Sequence, residues 1–126
     1  MIFDQKHITF NRFKSKFECN HKLKNDLINL TNQIFLMKKK LSLVIPGGDS
    51  IKEFYEEFFK LHLDWDNINI SITDERWVDK NSERSNEKLI LDILKKNLID
   101  SKTFYPLKGK SENINFAIQA NNINLL

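Results

Sequence analysis

The sequence predicts an α/β protein with a three-layer, Rossmann-like arrangement, in which helices flank a parallel sheet. Segments with the apolar spacing of three and four that is typical of helices alternate along the chain with short apolar segments that are typical of strands. Between residues 41 and 73 a strand, a helix and a strand follow one another, which indicates a right-handed crossover and a parallel pair. With 126 residues, 40% hydrophobic and 29% charged, the chain has the size and composition of one globular domain.

The first helix is predicted at residues 20–39, and the first strand at Leu41–Ile45. Asn20 supplies an N-cap at the start of the helix. The strand is short and mostly apolar and is followed by Pro46 and two glycines, a pattern typical of a strand buried on both faces. We therefore expect a central strand here. The apolar positions of the helix are Leu23, Leu27, Leu30, Ile34 and Met37.

A second helix and a second strand follow the glycines. Asp49 and Ser50 are both available to cap this helix, whose apolar spacing continues to about His62. Residues 67–73 then alternate between isoleucine and polar residues, which predicts a strand with one buried face. The buried positions of that strand are Ile68, Ile70 and Ile72.

A polar loop, a third helix and a short strand complete the main pattern. Residues 74–86 are too polar for a core, and the apolar spacing after them predicts a helix capped by Ser85 or Asn86. Residues 104–107 predict an edge strand, because Pro106 has no N–H to donate to a sheet.

Too few strands are predicted for a complete sheet. Residues 8–10 offer a marginal strand and residues 111–121 a last helix. The total is two central strands and one or two marginal ones, whereas such a fold normally needs about four or more. The fold is therefore expected to look truncated, with residues 1–126 forming the N-terminal portion of a single α/β domain.

Composition and charge exclude several classes of protein. The longest apolar stretch, residues 41–46, is far shorter than the roughly 20 residues that cross a bilayer, and the first residues do not form a signal peptide. Cys19 is the single cysteine, which agrees with a reducing compartment and a cytoplasmic location. The net charge of +3 comes mostly from lysines, without the clusters of arginine and aromatic residues that bind nucleic acid. We expect neither nucleic acid nor membrane as a partner, and the pattern carries no signal for an oligomeric state.

The turn after the first strand is a candidate phosphate site. Gly47 and Gly48 let the backbone come close to a ligand, and Asp49 and Ser50 begin a helix whose N–H groups favour an anion. A tight turn without a ligand fits the same residues, and two adjacent glycines do not decide between these interpretations.

A second candidate site is the charged triplet after the second strand, Asp74, Glu75 and Arg76. In open α/β sheets ligands bind outside the carboxyl ends of the strands, and the glycine turn lies on this same edge. Carboxylates there can hold a hydroxyl group or move a proton, and Arg76 can hold a phosphate or carboxylate through two parallel bonds. A surface network of ion pairs is the alternative interpretation.

Four motifs occur in an order and at spacings that point to a family. Residues 42–50 read as a strand ending in Gly-Gly-Asp-Ser, residues 65–68 as Trp-Asp-Asn-Ile, residues 74–78 as Asp-Glu-Arg-Trp-Val, and residues 85–86 as Ser-Asn at a helix start. This order resembles the N-terminal half of 6-phosphogluconolactonase, in the superfamily of glucosamine- and galactosamine-6-phosphate isomerases. The family typically reads G-G-S-T-P, W-x-x-V, D-E-R-x-V and S-N, so that Asp49 stands where the family usually has serine.

The resemblance implies an enzyme that hydrolyses 6-phospho-D-glucono-1,5-lactone to 6-phosphogluconate in the oxidative pentose phosphate pathway, with no metal or organic cofactor. Asp74 would orient a catalytic histidine or a sugar hydroxyl, and Arg76 would hold an anionic group. The family places that histidine in a later G-x-G-x-D-G-H segment, which this sequence does not contain, so the chain alone is expected to be inactive. The residues that would bind phosphate or line the site are Gly47, Gly48, Ser50 and Asn86.

Two other functions stay open. A glucosamine-6-phosphate deaminase or isomerase would share the fold, although those enzymes usually read D-E-Y where this chain has Arg76. The second open function is that of a non-catalytic module that binds a sugar phosphate. Asp49 bears on all these functions, because its carboxylate could repel the phosphate that the family binds at this turn.

Overall fold

The computed structural model describes residues 8–108 of the chain. In chain order the elements are α1 (Lys16–Leu36), β1 (Leu41–Ile45), α2 (Lys52–Phe58), β2 (Ile68–Ile72), α3 (Asn86–Lys96) and β3 (Phe104–Tyr105). The strands form one parallel sheet in the order β1-β2-β3. The predicted α/β class with a parallel sheet is therefore confirmed.

Both strand pairs are joined through helices. β1 pairs with β2 from Leu41 beside Ile68 to Ile45 beside Ile72, and β2 pairs with β3 where Ile70 lies beside Phe104. Buried residues of α2 and α3 belong to one core with the strands, as expected when two right-handed crossovers step in the same direction and place both helices on one face of the sheet. The carboxyl ends of β1 and β2 then lie side by side at one edge, where the candidate site is built.

The hydrophobic core lies between that face and the helices. Ile68, Ile70 and Ile72 of β2 are buried, as the alternation in the sequence predicts. Ile90 and Leu94 of α3 are fully buried with them, and each such side chain contributes roughly 1.5–3 kcal/mol through its burial. The other buried hydrophobic residues of this core are Leu41, Phe54, Tyr55, Phe58, Phe59, Ile99 and Phe104.

The prediction that β1 is buried on both faces is wrong. Leu41 is buried and Leu43 and Ile45 pack against the core, but Ser42 and Val44 point to the other face and are exposed, Val44 to 60%. Among the described strands β1 lies at the edge of the sheet, and β2 is the central strand. An apolar run does not reveal which of its members a second layer covers.

Helix α1 begins earlier than predicted, and Asn20 does not cap it. Ser15 is the N-cap, because its Oγ accepts a hydrogen bond from the N–H of Glu18 at 3.1 Å. The Glu18 carboxylate reaches back to the N–H of Lys14 at 3.0 Å, so the Ser-x-x-Glu spacing acts much as a capping box does. The helix ends at Leu36, and Lys38 follows in the left-handed region with φ of 55°.

Helix α2 is shorter than predicted. A 3-10 turn at Asp49–Ile51 precedes it, it ends at Phe58 rather than near His62, and neither Asp49 nor Ser50 caps it through a side chain. The Asp49 carboxylate instead pairs with the ammonium of Lys52. Tyr55 is buried and donates a hydrogen bond from its hydroxyl to the carbonyl of Pro46, which ties α2 to the turn after β1.

The two ends of the described region differ in their agreement with the sequence. Residues 8–10 are not a strand, and Ile8 and Phe10 are exposed. Residues 104–107 were expected to form an edge strand, and Phe104–Tyr105 pairs with β2 as one. The helix expected at residues 111–121 lies outside the described residues. Within residues 8–108 no helix has the length and apolar character needed to cross a membrane.

Candidate functional site

The turn after β1 and the loop after β2 meet at one cavity of about 410 Å³. Gly48 and Asp49 line it from the first segment, and Arg76 lines it from the second. The start of α3 closes the third side through Ser85 and Asn86. The other lining residues are Lys52, Glu83, Arg84, Lys88, Leu89 and Asp92.

Gly47 and Asn86 touch each other at the floor of this region. A Cβ atom at Gly47 would lie 2.1 Å from Oδ1 and 2.2 Å from Cγ of Asn86, so only glycine fits beside this side chain. Gly48 has no atom near the corresponding position, but its φ of 95° is a conformation that other residues adopt only with strain. The two glycines are therefore required for different reasons.

The side-chain amide of Asn86 links both strand ends. The residue is 3% exposed, its Nδ2 donates to the carbonyl of Asp74 at 3.0 Å, and its Oδ1 accepts from Nη1 of Arg76 at 3.3 Å. Arg76 Nη1 also donates to the carbonyl of Arg84 at 2.8 Å. Asn86 thus holds the backbone and the guanidinium of the loop at residues 74–76 against the glycine turn.

Glu75 closes the N-terminus of α3. One carboxylate oxygen accepts from the N–H of Asn86 at 2.8 Å, and the other accepts from the N–H of Glu87 and the hydroxyl of Ser85, both at 2.9 Å. A carboxylate here satisfies amides that have no partner within the helix and is favoured by the helix dipole. Burial raises the pKa of Glu87, and the nearby charge of Glu75 raises it further.

Among the described residues, the ion pairs around the cavity leave the guanidinium groups of two arginines without a carboxylate partner. Asp49 pairs with Lys52, which holds the pKa of Asp49 below its ordinary value, and the charge of Arg76 adds to this lowering. Lys88 pairs with two carboxylates at the rim, those of Glu83 and Asp92. Within residues 8–108, neither Arg76 nor Arg84 forms an ion pair. Two arginines that line one cavity suit a phosphate or a carboxylate ligand.

Comparison with known proteins identifies the family. Residues 14–125 match the family model of glucosamine-6-phosphate isomerases and 6-phosphogluconolactonase. The chain belongs to this family. The resemblance inferred from the sequence motifs is thus confirmed.

The curated relatives are 6-phosphogluconolactonases. That of Rhizobium meliloti (strain 1021) is 34% identical over 71 residues, which cover 56% of this chain and 31% of the relative. That of Xylella fastidiosa (strain Temecula1 / ATCC 700964) is 27% identical over 119 residues, or 94% of this chain and 49% of the relative. At its broadest match the chain spans about half the length of these relatives.

Solved structures of 6-phosphogluconolactonases share the fold. The crystal structure of the enzyme from Shewanella baltica OS155 has a TM-score of 0.83 at 23% identity, over 95% of this chain and 52% of that one. The enzyme from Thermotoga maritima has a TM-score of 0.74 at 20% identity, over 84% of this chain and 49% of that one. These similarities support the three-dimensional arrangement of the strands and helices.

Of the six site residues predicted from the sequence, some line the cavity and others do not. Gly48, Arg76 and Asn86 line the cavity, and Gly47 supports it through its contact with Asn86. The other two do not line it. Ser50 is exposed in the 3-10 turn, and the Asp74 carboxylate is exposed and accepts a hydrogen bond from the hydroxyl of Thr73 at 2.9 Å.

Glu75, Arg84 and Tyr55 make contacts around the cavity that the sequence analysis did not assign to them. Glu75 stood in the recognised triplet, but its contact with α3 spans ten or more residues of sequence and has no local signal. Arg84 precedes Ser85, so its position beside the predicted helix start was an available signal. Nothing in the spacing indicates the bond between Tyr55 and the turn.

Proposed function

We propose that this chain forms the sugar-phosphate-binding edge of a 6-phosphogluconolactonase, which hydrolyses 6-phospho-D-glucono-1,5-lactone to 6-phosphogluconate. One observation supports this most: the glycine turn and Arg76 lie at the same cavity, where the guanidinium groups of Arg76 and Arg84 form no ion pair with a carboxylate among the described residues. In this proposal residues 1–126 are the N-terminal portion of one α/β domain, the substrate is the small-molecule lactone, and neither a metal nor an organic cofactor takes part. A cytoplasmic location stays a prediction.

The hydrolysis needs a base that activates water and a cation that stabilises the oxyanion formed at the lactone carbonyl. Arg76 is suited to the second task or to holding the phosphate, because it lines the cavity and its Nη1 is fixed by two acceptors. Asp74 does not line the cavity, so its role in holding a sugar hydroxyl or the base stays a prediction. Neither His21 nor His62 lines this cavity, so the described residues supply no histidine base.

A glucosamine-6-phosphate deaminase or isomerase is the alternative activity, and the family description includes the isomerases. We favour the lactonase because Arg76 occupies the position where the deaminases usually have tyrosine, and because the curated relatives are named 6-phosphogluconolactonase. A module that binds a sugar phosphate without catalysis would use the same cavity, so a binding measurement has to accompany the activity measurement.

The test measures catalysis and binding on the same purified chain. Freshly generated lactone is mixed with the chain, and its hydrolysis is compared with the spontaneous rate; we expect no acceleration, because removal of a general base alone costs a factor of about 10² to 10⁴. Binding of 6-phosphogluconate is measured by calorimetry, and we expect it to be weakened by a factor of about 10 to 100 in Arg76→Ala and unchanged in Arg12→Ala. A chain that binds 6-phosphogluconate equally well without the Arg76 guanidinium would contradict the proposed site.

A further inference from the structure

The geometry points to Glu75 as a positioning residue for Arg76. Its carboxylate fastens the loop at residues 74–76 to the first turn of α3, and the loop in turn holds the Arg76 guanidinium at the cavity. The location of Arg76 follows from the structure alone, whereas the task of Arg76 on a sugar phosphate rests on the proposed function.

Four donors converge on the Glu75 carboxylate. Oε1 accepts from the N–H of Arg76 at 2.9 Å and from the N–H of Asn86 at 2.8 Å. Oε2 accepts from the hydroxyl of Ser85 and from the N–H of Glu87, each at 2.9 Å. Both oxygens are therefore used twice, and both connect the loop to α3.

Arg76 is attached to this cluster at both ends. Its backbone N–H binds Glu75 directly, and its Nη1 donates to Oδ1 of Asn86, whose own N–H binds the same Glu75 oxygen. The second acceptor of Nη1 is the carbonyl of Arg84, one residue before Ser85, the N-cap of α3. If Glu75 releases α3, each of these acceptors is free to move relative to the Arg76 backbone.

The same contacts decide where an anion can bind. The first amides of a helix commonly receive a phosphate, but in α3 the N–H groups of Asn86 and Glu87 already donate to Glu75. An anionic substrate group is therefore directed to the arginine side of the cavity and away from the helix end. Glu75 therefore occupies the amides at the start of α3 that could otherwise bind an anion. It also positions the Arg76 guanidinium, which we infer binds the anion instead.

A neutral amide cannot reproduce this arrangement. In Glu75→Gln one oxygen becomes an NH₂ group that faces N–H or O–H donors, so two of the four contacts lose their acceptor. Glu75→Asp keeps the charge at the helix start but draws both oxygens back by one methylene. Glu87→Gln is the matched control. It also removes a carboxylate from the first turn of α3, but the Glu87 carboxylate accepts none of these four hydrogen bonds.

The first measurement uses the small number of arginines in the chain, namely Arg12, Arg76 and Arg84. Their Nε–Hε groups give three signals in a nitrogen–proton correlation spectrum of the labelled chain. We expect Glu75→Gln, and more weakly Glu75→Asp, to shift and average the Arg76 signal while the Arg12 signal stays in place. We expect Glu87→Gln to leave the Arg76 signal unchanged. An unmoved Arg76 signal in a folded Glu75 variant would overturn the inference, and the aspartate variant serves where the glutamine variant does not fold.

The second measurement separates positioning from a general loss of stability. Affinity for 6-phosphogluconate is measured in a cycle of Glu75→Gln, Arg76→Ala and the double variant. We expect about a tenfold loss from Glu75→Gln alone, the size typical of one contact to a charged group, and no further loss in the Arg76→Ala background. Equal losses in both backgrounds would show that Glu75 does not act through Arg76. If the unaltered chain binds no 6-phosphogluconate, the proposed function fails, while the arginine spectrum still decides the position.

Discussion

Alanine at position 47 is the sharpest perturbation of the site. The new Cβ would lie 2.1 Å from Oδ1, 2.2 Å from Cγ and 2.7 Å from Nδ2 of Asn86, so this side chain has to move by about 1 Å or more to reach ordinary contact distance. Such a shift breaks the bond from Nδ2 to the Asp74 carbonyl, worth about 1 kcal/mol, and the bond from Arg76, worth about 2 kcal/mol. The lower entropy of the unfolded chain with alanine returns roughly 0.4–1 kcal/mol. We expect a net loss of about 2 kcal/mol in the free energy of unfolding.

Urea unfolding followed by tryptophan fluorescence measures this loss. With a slope of about 1–3 kcal/mol per molar, the midpoint falls by roughly 1 M. Asn86→Ala removes the side chain that the new methyl group strikes, so the two substitutions together should cost clearly less than the sum of their separate effects. A neutral Gly47→Ala, or effects that add within about 0.5 kcal/mol, would refute the reasoning.

Three further substitutions test other parts of the site. Tyr55→Phe removes the hydroxyl that binds the carbonyl of Pro46 and should lower the free energy of unfolding by about 0.5–1.5 kcal/mol, whereas no change would mean that α2 does not need this bond. Burial raises the pKa of Glu87 above its ordinary 4.5, so the unfolded chain releases this proton at lower pH than the folded chain and stability falls as the pH rises through that window. Glu87→Gln should therefore raise the thermal midpoint near neutral pH and leave it unchanged well below pH 4.5, and a midpoint that falls near neutral pH would contradict this sign. Asp49→Asn removes the carboxylate at the cavity and frees Lys52, so affinity for 6-phosphogluconate measured by calorimetry should rise a few-fold; a weaker affinity would place the phosphate elsewhere.

The fold and the meeting of the two loops could be predicted because they follow from order along the chain. A strand, a helix and a second strand in this order predict a right-handed crossover between two parallel strands. The carboxyl ends of these strands lie at one edge of the sheet, so Gly48 and Arg76 are expected there together. The cap of α3 was also local, since Ser85 accepts from the N–H of Lys88 within its own turn. The Ser-x-x-Glu signal of α1 was present at Ser15, and the apolar spacing that begins at Leu23 drew the predicted start too far along the chain.

The remaining features depend on contacts between distant segments. Glu75 binds the start of α3 because the fold places α3 beside the end of β2. Glycine is required at position 47 because the same arrangement places Asn86 against it. Val44 is apolar but exposed, because it lies on the face of β1 opposite the core and none of the described residues buries it. Periodicity reports which side chains share a face, but it does not report what covers that face.

The most direct test of the proposed site is a titration of the labelled chain with 6-phosphogluconate, with gluconate as the matched ligand that lacks the phosphate. Backbone amide signals report where the ligand binds. We predict that the signals of Gly48, Asp49 and Arg76 move together, with one dissociation constant, and that gluconate moves them far less. A second, more open cavity, which His62 and Leu98 line, provides the contrast. Shifts confined to His62 and Leu98, or equal shifts with gluconate, would contradict a sugar-phosphate site between the glycine turn and Arg76.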